Sequence, residues 1–237
     1  MTTRIAARSP TAALSDTSAW TLSAISVAIA GGRVRHRSSS LSPHQGVGDM
    51  LEHAVAATIR PPSEADLETL AAIDVAFESG RILSLERSGT APELTFGLRW
   101  HAAAPREESY DDLTAEGFRM ALAKTDLFLL ADVDGERAGY LMVVLPQNTD
   151  AGEITDLAVH RPLRRRGVGR CLVGAATAWA RERKLRALWV EPRADNASAI
   201  EFYLSLGFRI SGFNDSMHSN QDDERPTIFM HLETLLA

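Results

Sequence analysis

Between residues 153 and 170 a strand-like run passes through a short arginine-rich turn into a helix opened by two glycines. It reads Glu153-Ile154-Thr155-Asp156-Leu157-Ala158-Val159-His160-Arg161-Pro162-Leu163-Arg164-Arg165-Arg166-Gly167-Val168-Gly169-Arg170. The first N–H groups of a helix have no partner within it and stand at the positive end of its dipole, so they attract anions. Gly167 and Gly169 let a phosphate approach the main chain with no Cβ in the way. Arg164, Arg165, Arg166 and Arg170 add fixed positive charge. The junction therefore predicts a ligand carrying a diphosphate, and it requires a strand and a helix joined by a tight turn.

The choice of diphosphate narrows quickly. A dinucleotide fingerprint needs a third glycine where Leu172 stands, and no Gly-Lys-Ser/Thr cradle for a nucleoside triphosphate occurs anywhere. What remains, Arg164-x-x-Gly167-x-Gly169, resembles the acetyl-CoA loop of the Gcn5-related N-acetyltransferases, the GNAT family. About 25 residues later comes Asp195-Asn196-Ala197-Ser198-Ala199-Ile200-Glu201-Phe202-Tyr203-Leu204-Ser205-Leu206-Gly207-Phe208. It is similar to the family's segment in which asparagine starts a helix, tyrosine sits near its middle and Gly-Phe ends it. The order of elements over residues 153–213 agrees with strand four, helix three, strand five, helix four and strand six of that fold.

The rest of the chain is read from local pattern. Residues 55–60 read as a short strand stopped by Pro61-Pro62. Ser63 and Asp66 form an approximate capping signal before Leu67, Leu70, Ile73 and Phe77, a helix that Gly80 would end. Residues 92–101 alternate Leu94, Phe96, Leu98 and Trp100, a strand with one apolar face, and residues 109–124 form a helix interrupted by Gly117. Two apolar runs, 127–133 and 137–145, meet at Asp134-Gly135, a hairpin signal. Residues 153–160 form a strand, and 167–183 a helix with Val168, Leu172, Ala175 and Trp179 on one face. Then come strand 187–191, helix 196–206 closed by Gly207, and strands 208–213 and 227–232. The resulting class is α/β (α+β): one mixed central sheet, helices on both faces and, by the resemblance, splayed strands four and five.

Domain organisation follows a change in composition. Residues 1–50 are rich in Ser, Thr, Ala and Arg, with Asp16 as the single acid before Gly48. They show no sustained periodicity and too few large apolar residues to offset the entropy of ordering, so a disordered extension is expected. A targeting peptide, or translation assigned upstream of a start at Met50, are the alternatives. Residues 51–237 form the catalytic domain.

The resemblance implies a mechanism. In this fold the pantetheine arm of acetyl-CoA lies between strands four and five, so Leu157, Ala158 and Val159 would supply backbone contacts. An N–H near Leu157 would face the thioester oxygen. Arg165, Arg166, Gly167, Val168, Gly169 and Arg170 would hold the pyrophosphate, with Arg164 part of the same loop. Asn196 would reach the arm or cap its own helix. Tyr203 would donate a proton to the thiolate, the alternative being that Phe202 and Tyr203 pack helix four on the sheet.

For the base, some relatives carry Glu at the position of Thr155. Here Glu153 lies two residues earlier, on the same face as Thr155 and Leu157 if the strand alternates regularly, while Asp156 faces the other way. Glu153 acts as the base or is a solvated strand-end carboxylate. Cys171, His160 and His231 read as ordinary packing or strand-end residues. No histidine pair has metal-ligand spacing, so no metal is expected.

The tail from Asn214 to Met230 resembles that of streptothricin acetyltransferases, and the acids of residues 107–112 would draw in a cationic amine. The expected acceptor is a small cationic amine of streptothricin type. A peptide or protein amine, or a non-catalytic acyl-CoA-binding module, are the alternatives. The net charge of −6 argues against a nucleic-acid coat, no apolar run reaches membrane-spanning length, and the single cysteine excludes an intrachain disulfide framework. The expected setting is cytoplasmic, with no nucleic-acid or membrane partner and with a homodimer possible, as is common in the family.

Overall fold

A computed structural model describes residues 25–27, 57–109, 113–214 and 226–235. Its centre is an eight-stranded sheet. In chain order the strands are β1 (Ile25–Val27), β2 (Ala57–Arg60), β5 (Leu127–Val133), β6 (Glu136–Val144), β7 (Ala151–Val159), β8 (Ala187–Val190), β9 (Arg209–Asn214) and β10 (Thr227–Glu233). Their spatial order is β1-β2-β5-β6-β7-β8-β10-β9. Every pairing is antiparallel except β7 with β8, which are joined by a helical crossover as a parallel pair requires. Between β2 and β5 the strands β3 (Phe77–Thr90) and β4 (Glu93–Glu108) form a separate two-stranded hairpin.

Helices cover both faces. On one, α1 (Leu67–Ala71) and α2 (Ala115–Lys124) pack Leu67, Leu70 and Phe118 against Phe128, Leu130, Tyr140, Met142 and Ala158. Phe118 meets the Tyr140 ring edge-on at 5.0 Å. On the other, α3 (Val168–Glu182) and α4 (Ala197–Ser205) join Leu129, Leu141, Val143, Ile154, Leu188 and Met230 in the larger core. The buried face of α3 is Val168, Leu172, Ala176 and Ala180, flanked by Cys171, Val173 and Thr177. The face expected to include Ala175 and Trp179 is thus turned, and those two lie at its half-buried margin.

Local chemistry explains the elements that match expectation. Asp134 and Gly135 have φ of 52° and 85°, the paired left-handed residues of a tight hairpin turn. Asn196 caps α4 by accepting from the Ala199 N–H at 3.0 Å, and Gly207 leaves that helix at φ 90°. Thr114 caps α2 by accepting from the Gly117 N–H at 3.1 Å, so Gly117 lies in the first turn and interrupts nothing.

The first half departs from expectation. The helix read through Phe77 to Gly80 stops at Ala71, and both Phe77 and Gly80 lie in β3. The strand expected over 92–101 runs on to Glu108, and its apolar row leaves the core: Leu94, Phe96 and Leu98 are exposed, while Trp100 packs on the larger core. Within residues 1–50 the three-residue strand β1 pairs with β2, Ile25 opposite Ile59; the rest of that segment lies outside the described residues, as do residues 215–225 of the tail. Among the described residues no helix is long and apolar enough to cross a membrane.

Candidate active site

Strand β7 pairs with β8 over three residues only: Ala151 with Ala187, Gly152 with Leu188 and Glu153 with Trp189. Beyond Glu153 it stays paired with β6 through Val159, while its other edge has no strand partner among the described residues. The two strands part here as a wedge, the opening expected between strands four and five. Leu157, Ala158 and Val159 lie along the β7 lip, with Ala158 buried and its neighbours half-buried.

At the tip of β7 the chain makes one 3-10 turn (Arg161–Leu163) and enters α3. Gly167 caps this helix with φ 90°, and the first helical bond runs from the Cys171 N–H to the Gly167 carbonyl oxygen at 3.0 Å. The N–H groups of Val168, Gly169 and Arg170 therefore have no helical acceptor. Arg165, Arg166 and Arg170 are exposed around them, and none has an ion-pair partner among the described residues. This is a cradle for a compact polyanion.

The two glycines differ in their surroundings. A Cβ on Gly167 would meet nothing, so that position is set by its left-handed backbone. A Cβ on Gly169 would lie 3.1 Å from Phe202, so that glycine lets α3 dock closely on α4.

Arg164 does other work. Its guanidinium donates to the carbonyl oxygens of Val159 at 2.8 Å, of Asp74 at 3.0 Å and of Ala76. It clamps the tip of β7 to the segment before β3.

The carboxylates are arranged by an irregularity in β7. Met142 pairs with Asp156 but the next residue, Val143, pairs with Ile154, so Thr155 is an extra, bulged residue. Ile154 and Leu157 therefore both face the α3 side, and Glu153 and Asp156 both face the α1–α2 side. The expected alternation, with Glu153 beside Thr155 and Leu157 and Asp156 opposed, is corrected by this bulge. Trp189, paired with Glu153, shares that side and stacks on Phe229 at 6.3 Å. Glu191, the residue after β8, lies close enough for its charge to act on Glu153.

Burial first, then the charges of Glu191 and Asp156, push the Glu153 carboxyl above the ordinary range. Burial also raises Asp156, against a hydrogen bond from Thr155. A carboxylate with raised proton affinity at the apex of a cleft is suited to take a proton from an ammonium. The sequence pattern places Glu191 at the end of a strand without a functional role; only its nearness to Glu153 across the wedge brings it into the site.

Residues 94–208 match the model of the Acetyltransferase (GNAT) family. The chain carries a GNAT-family domain. Its enzyme class is that of the acetyl-CoA-dependent N-acetyltransferases, as the motifs implied. It is 27% identical over 177 residues to a streptothricin acetyltransferase of Streptomyces lavendulae, covering 73% of this chain and 92% of that one. Over 83 residues it is 32% identical to the [ribosomal protein bS18]-alanine N-acetyltransferase of Escherichia coli, covering 35% of this chain and 56% of that one. A solved nourseothricin acetyltransferase superposes with a TM-score of 0.64 at 25% identity, covering 76% of this chain and 99% of that one.

Within the GNAT domain the remaining expected residues lie as follows. Tyr203 on α4 is buried, its ring 5.4 Å from that of Phe202 and 5.1 Å from that of Phe208. Asn196 is buried and its side-chain oxygen is occupied by its own helix, accepting from the Ala199 N–H and the Ser198 hydroxyl. Cys171 is buried in α3, where desolvation pushes its thiol up and away from nucleophilic use. His160 accepts the Asp74 N–H at Nδ1, 3.1 Å away. Of the acids in 107–112 expected to attract the acceptor, Glu107 pairs with Arg161 at 3.0 Å and Glu108 with Arg193 at 3.2 Å, while Asp111 and Asp112 lie outside the described residues. Among the described residues, Glu153, Asp156 and Glu191 are the acids grouped at the wedge apex.

Proposed function

We propose that this domain moves an acetyl group from acetyl-CoA to a primary amine by direct attack while both substrates are bound, and that the acceptor is a small cationic amine of the streptothricin kind. The observation that carries the reading is the cradle at Gly167–Arg170. Main-chain N–H groups without helical acceptors and three exposed arginines stand at the tip of a strand whose neighbour has turned away. Pyrophosphate held there would let the pantetheine arm run down the β7 lip past Val159, Ala158 and Leu157.

Glu153, with Asp156 and Glu191 beside it, takes the proton that the acceptor ammonium must lose, and the negative row favours a cationic acceptor. Tyr203 donates to the departing thiolate. The reading of the acceptor is supported by the similarity to streptothricin acetyltransferase along 92% of that relative. A second reading, transfer to a peptide α-amine, is favoured by the higher identity over the shorter match to the bS18-alanine enzyme.

The test is release of free thiol from acetyl-CoA across streptothricin, polyamines and peptides with free N-termini. Fastest turnover with streptothricin supports the first acceptor, fastest turnover with a peptide selects the second, and no release with any amine rejects catalysis.

A further inference from the structure

Beyond Glu153 the two lips of the wedge are joined by no β7–β8 pairing among the described residues, yet the hairpin root touches both. Residues 74–83 cross from one to the other. At the β7 lip, Arg164 holds the carbonyls of Asp74 and Ala76. At the β8 lip, the Ser79 hydroxyl donates to the Asp195 carbonyl at 3.1 Å and the Leu83 N–H to the Ala194 carbonyl at 2.9 Å.

The returning strand repeats the pattern with charge. Adjacent residues at the end of β4 reach opposite lips, Glu107 to Arg161 at 3.0 Å and Glu108 to Arg193 at 3.2 Å. Arg193 is further fixed by Asp195 at 2.7 Å and by the Phe77 ring, 5.5 Å away.

We propose that the root of the β3–β4 hairpin is a brace that sets the separation of the two lips, with Glu108 and Arg193 as its positioning pair. The inference rests on the reading of the wedge as the acyl-donor seat. The pair is singled out by burial. Side-chain exposure is 14% for Glu108 and 20% for Arg193, against 59% and 38% for Glu107 and Arg161. Exposed pairs are screened and contribute little, whereas the less exposed Glu108–Arg193 contact keeps more of its attraction and is one link of a network in which Glu108 also meets Arg106 at 2.6 Å and Arg193 also meets Asp195. Three paired residues leave the lips free to separate locally unless something else ties them. A thioester displaced by about 1 Å costs on the order of a hundredfold in rate.

The experiment uses the full chain with Cys171→Ser and spin labels introduced at Pro162, beside the β7 lip, and Leu204, on the exposed side of α4. Pulsed dipolar distances and donor and acceptor KM are measured for the parent, Glu108→Ala, Glu108→Asp and Glu107→Gln. The brace predicts a broader, longer distance in Glu108→Ala, with donor KM up about tenfold and acceptor KM little changed. Glu108→Asp regains part of both, and Glu107→Gln matches the parent. An unchanged distance distribution in Glu108→Ala overturns the brace whatever the kinetics, and so does a widened distance with unchanged donor KM. A parent that neither binds CoA nor releases thiol overturns the donor-seat reading instead, while the label distances still decide whether the hairpin holds the lips.

Discussion

Glu153 and Asp156, three positions apart on β7, lie on the same face of the sheet because Thr155 between them is a bulge. Regular alternation would have put them on opposite sides. With Glu191 on the other lip they crowd negative charge at the wedge apex, and burial with this crowding raises Glu153. If Glu153 must be ionised to accept the ammonium proton, kcat/KM falls as pH falls through its raised pKa, above the roughly 4.3 of an ordinary glutamate. Removing a negative neighbour lowers that pKa, so Asp156→Asn and Glu191→Gln move the acidic limb to lower pH. Glu153→Gln lowers kcat by about a hundredfold or more. A limb that stays in place in both neighbour variants would assign the base elsewhere.

Tyr203 can be tested with its packing preserved. Phenylalanine keeps the contacts with Phe202 and Phe208, so Tyr203→Phe should fold with a change in stability of about 1 kcal/mol or less. Turnover should fall far more than CoA binding weakens. Equal turnover would make the residue a packing aromatic alone.

Three glycines on or near β7 and α3 should differ in their tolerance of alanine. At Gly139 an added Cβ would overlap the Ala158 carbonyl oxygen, a backbone atom that cannot move alone. At Gly169 it would press on the Phe202 ring at 3.1 Å, which can yield slightly. At Gly167 it would meet nothing, and only the left-handed backbone opposes it, at about 1 kcal/mol. Denaturant unfolding should rank the losses Gly139→Ala, then Gly169→Ala and Gly167→Ala.

Acid stability has an identifiable origin at the opposite edge of the sheet. Asp66, 2% exposed, accepts from Arg60 at 2.8 Å and from Arg137 at 2.8 Å, and from the Ser63 N–H at 2.8 Å. The Arg60 hydrogen bond, with those from Ser63 and Arg137, outweighs desolvation and holds its carboxyl well below the usual range. In the unfolded chain it titrates near 3.9, so its contribution is fully present above that pH. It is lost progressively as pH falls towards the lower folded pKa, because only the unfolded state gains the proton. Asp66→Asn should cost about 3 kcal/mol at neutral pH, with a smaller difference from the parent at pH 3. Parallel unfolding curves at both values check this.

Elements with strong local signals were readable in the sequence. The β5–β6 hairpin announced itself through Asp134-Gly135, and α3 and α4 through Gly167, Asn196 and Gly207. What escaped depends on distant partners. Leu67, Leu70, Ile73 and Phe77 fit one helix by spacing, yet Phe77 is held in β3, where Arg193 lies against its ring and Glu108 pairs with it across the hairpin. Arg164 looked like a phosphate ligand because its partners, the carbonyls of Asp74 and Ala76, lie about 90 residues away. The Thr155 bulge has no composition of its own, since an extra residue is seen only against the strand it pairs with.

Calorimetric titration of CoA into the full chain and into an Arg165→Ala, Arg166→Ala, Arg170→Ala triple variant goes furthest towards deciding whether the helix start grips a diphosphate. A diphosphate grip at the helix start predicts low-micromolar to sub-millimolar binding to the parent. It also predicts affinity lower by about tenfold or more, with a weaker salt dependence, in the variant. Binding that is unchanged in the variant, or absent from the parent, would contradict it.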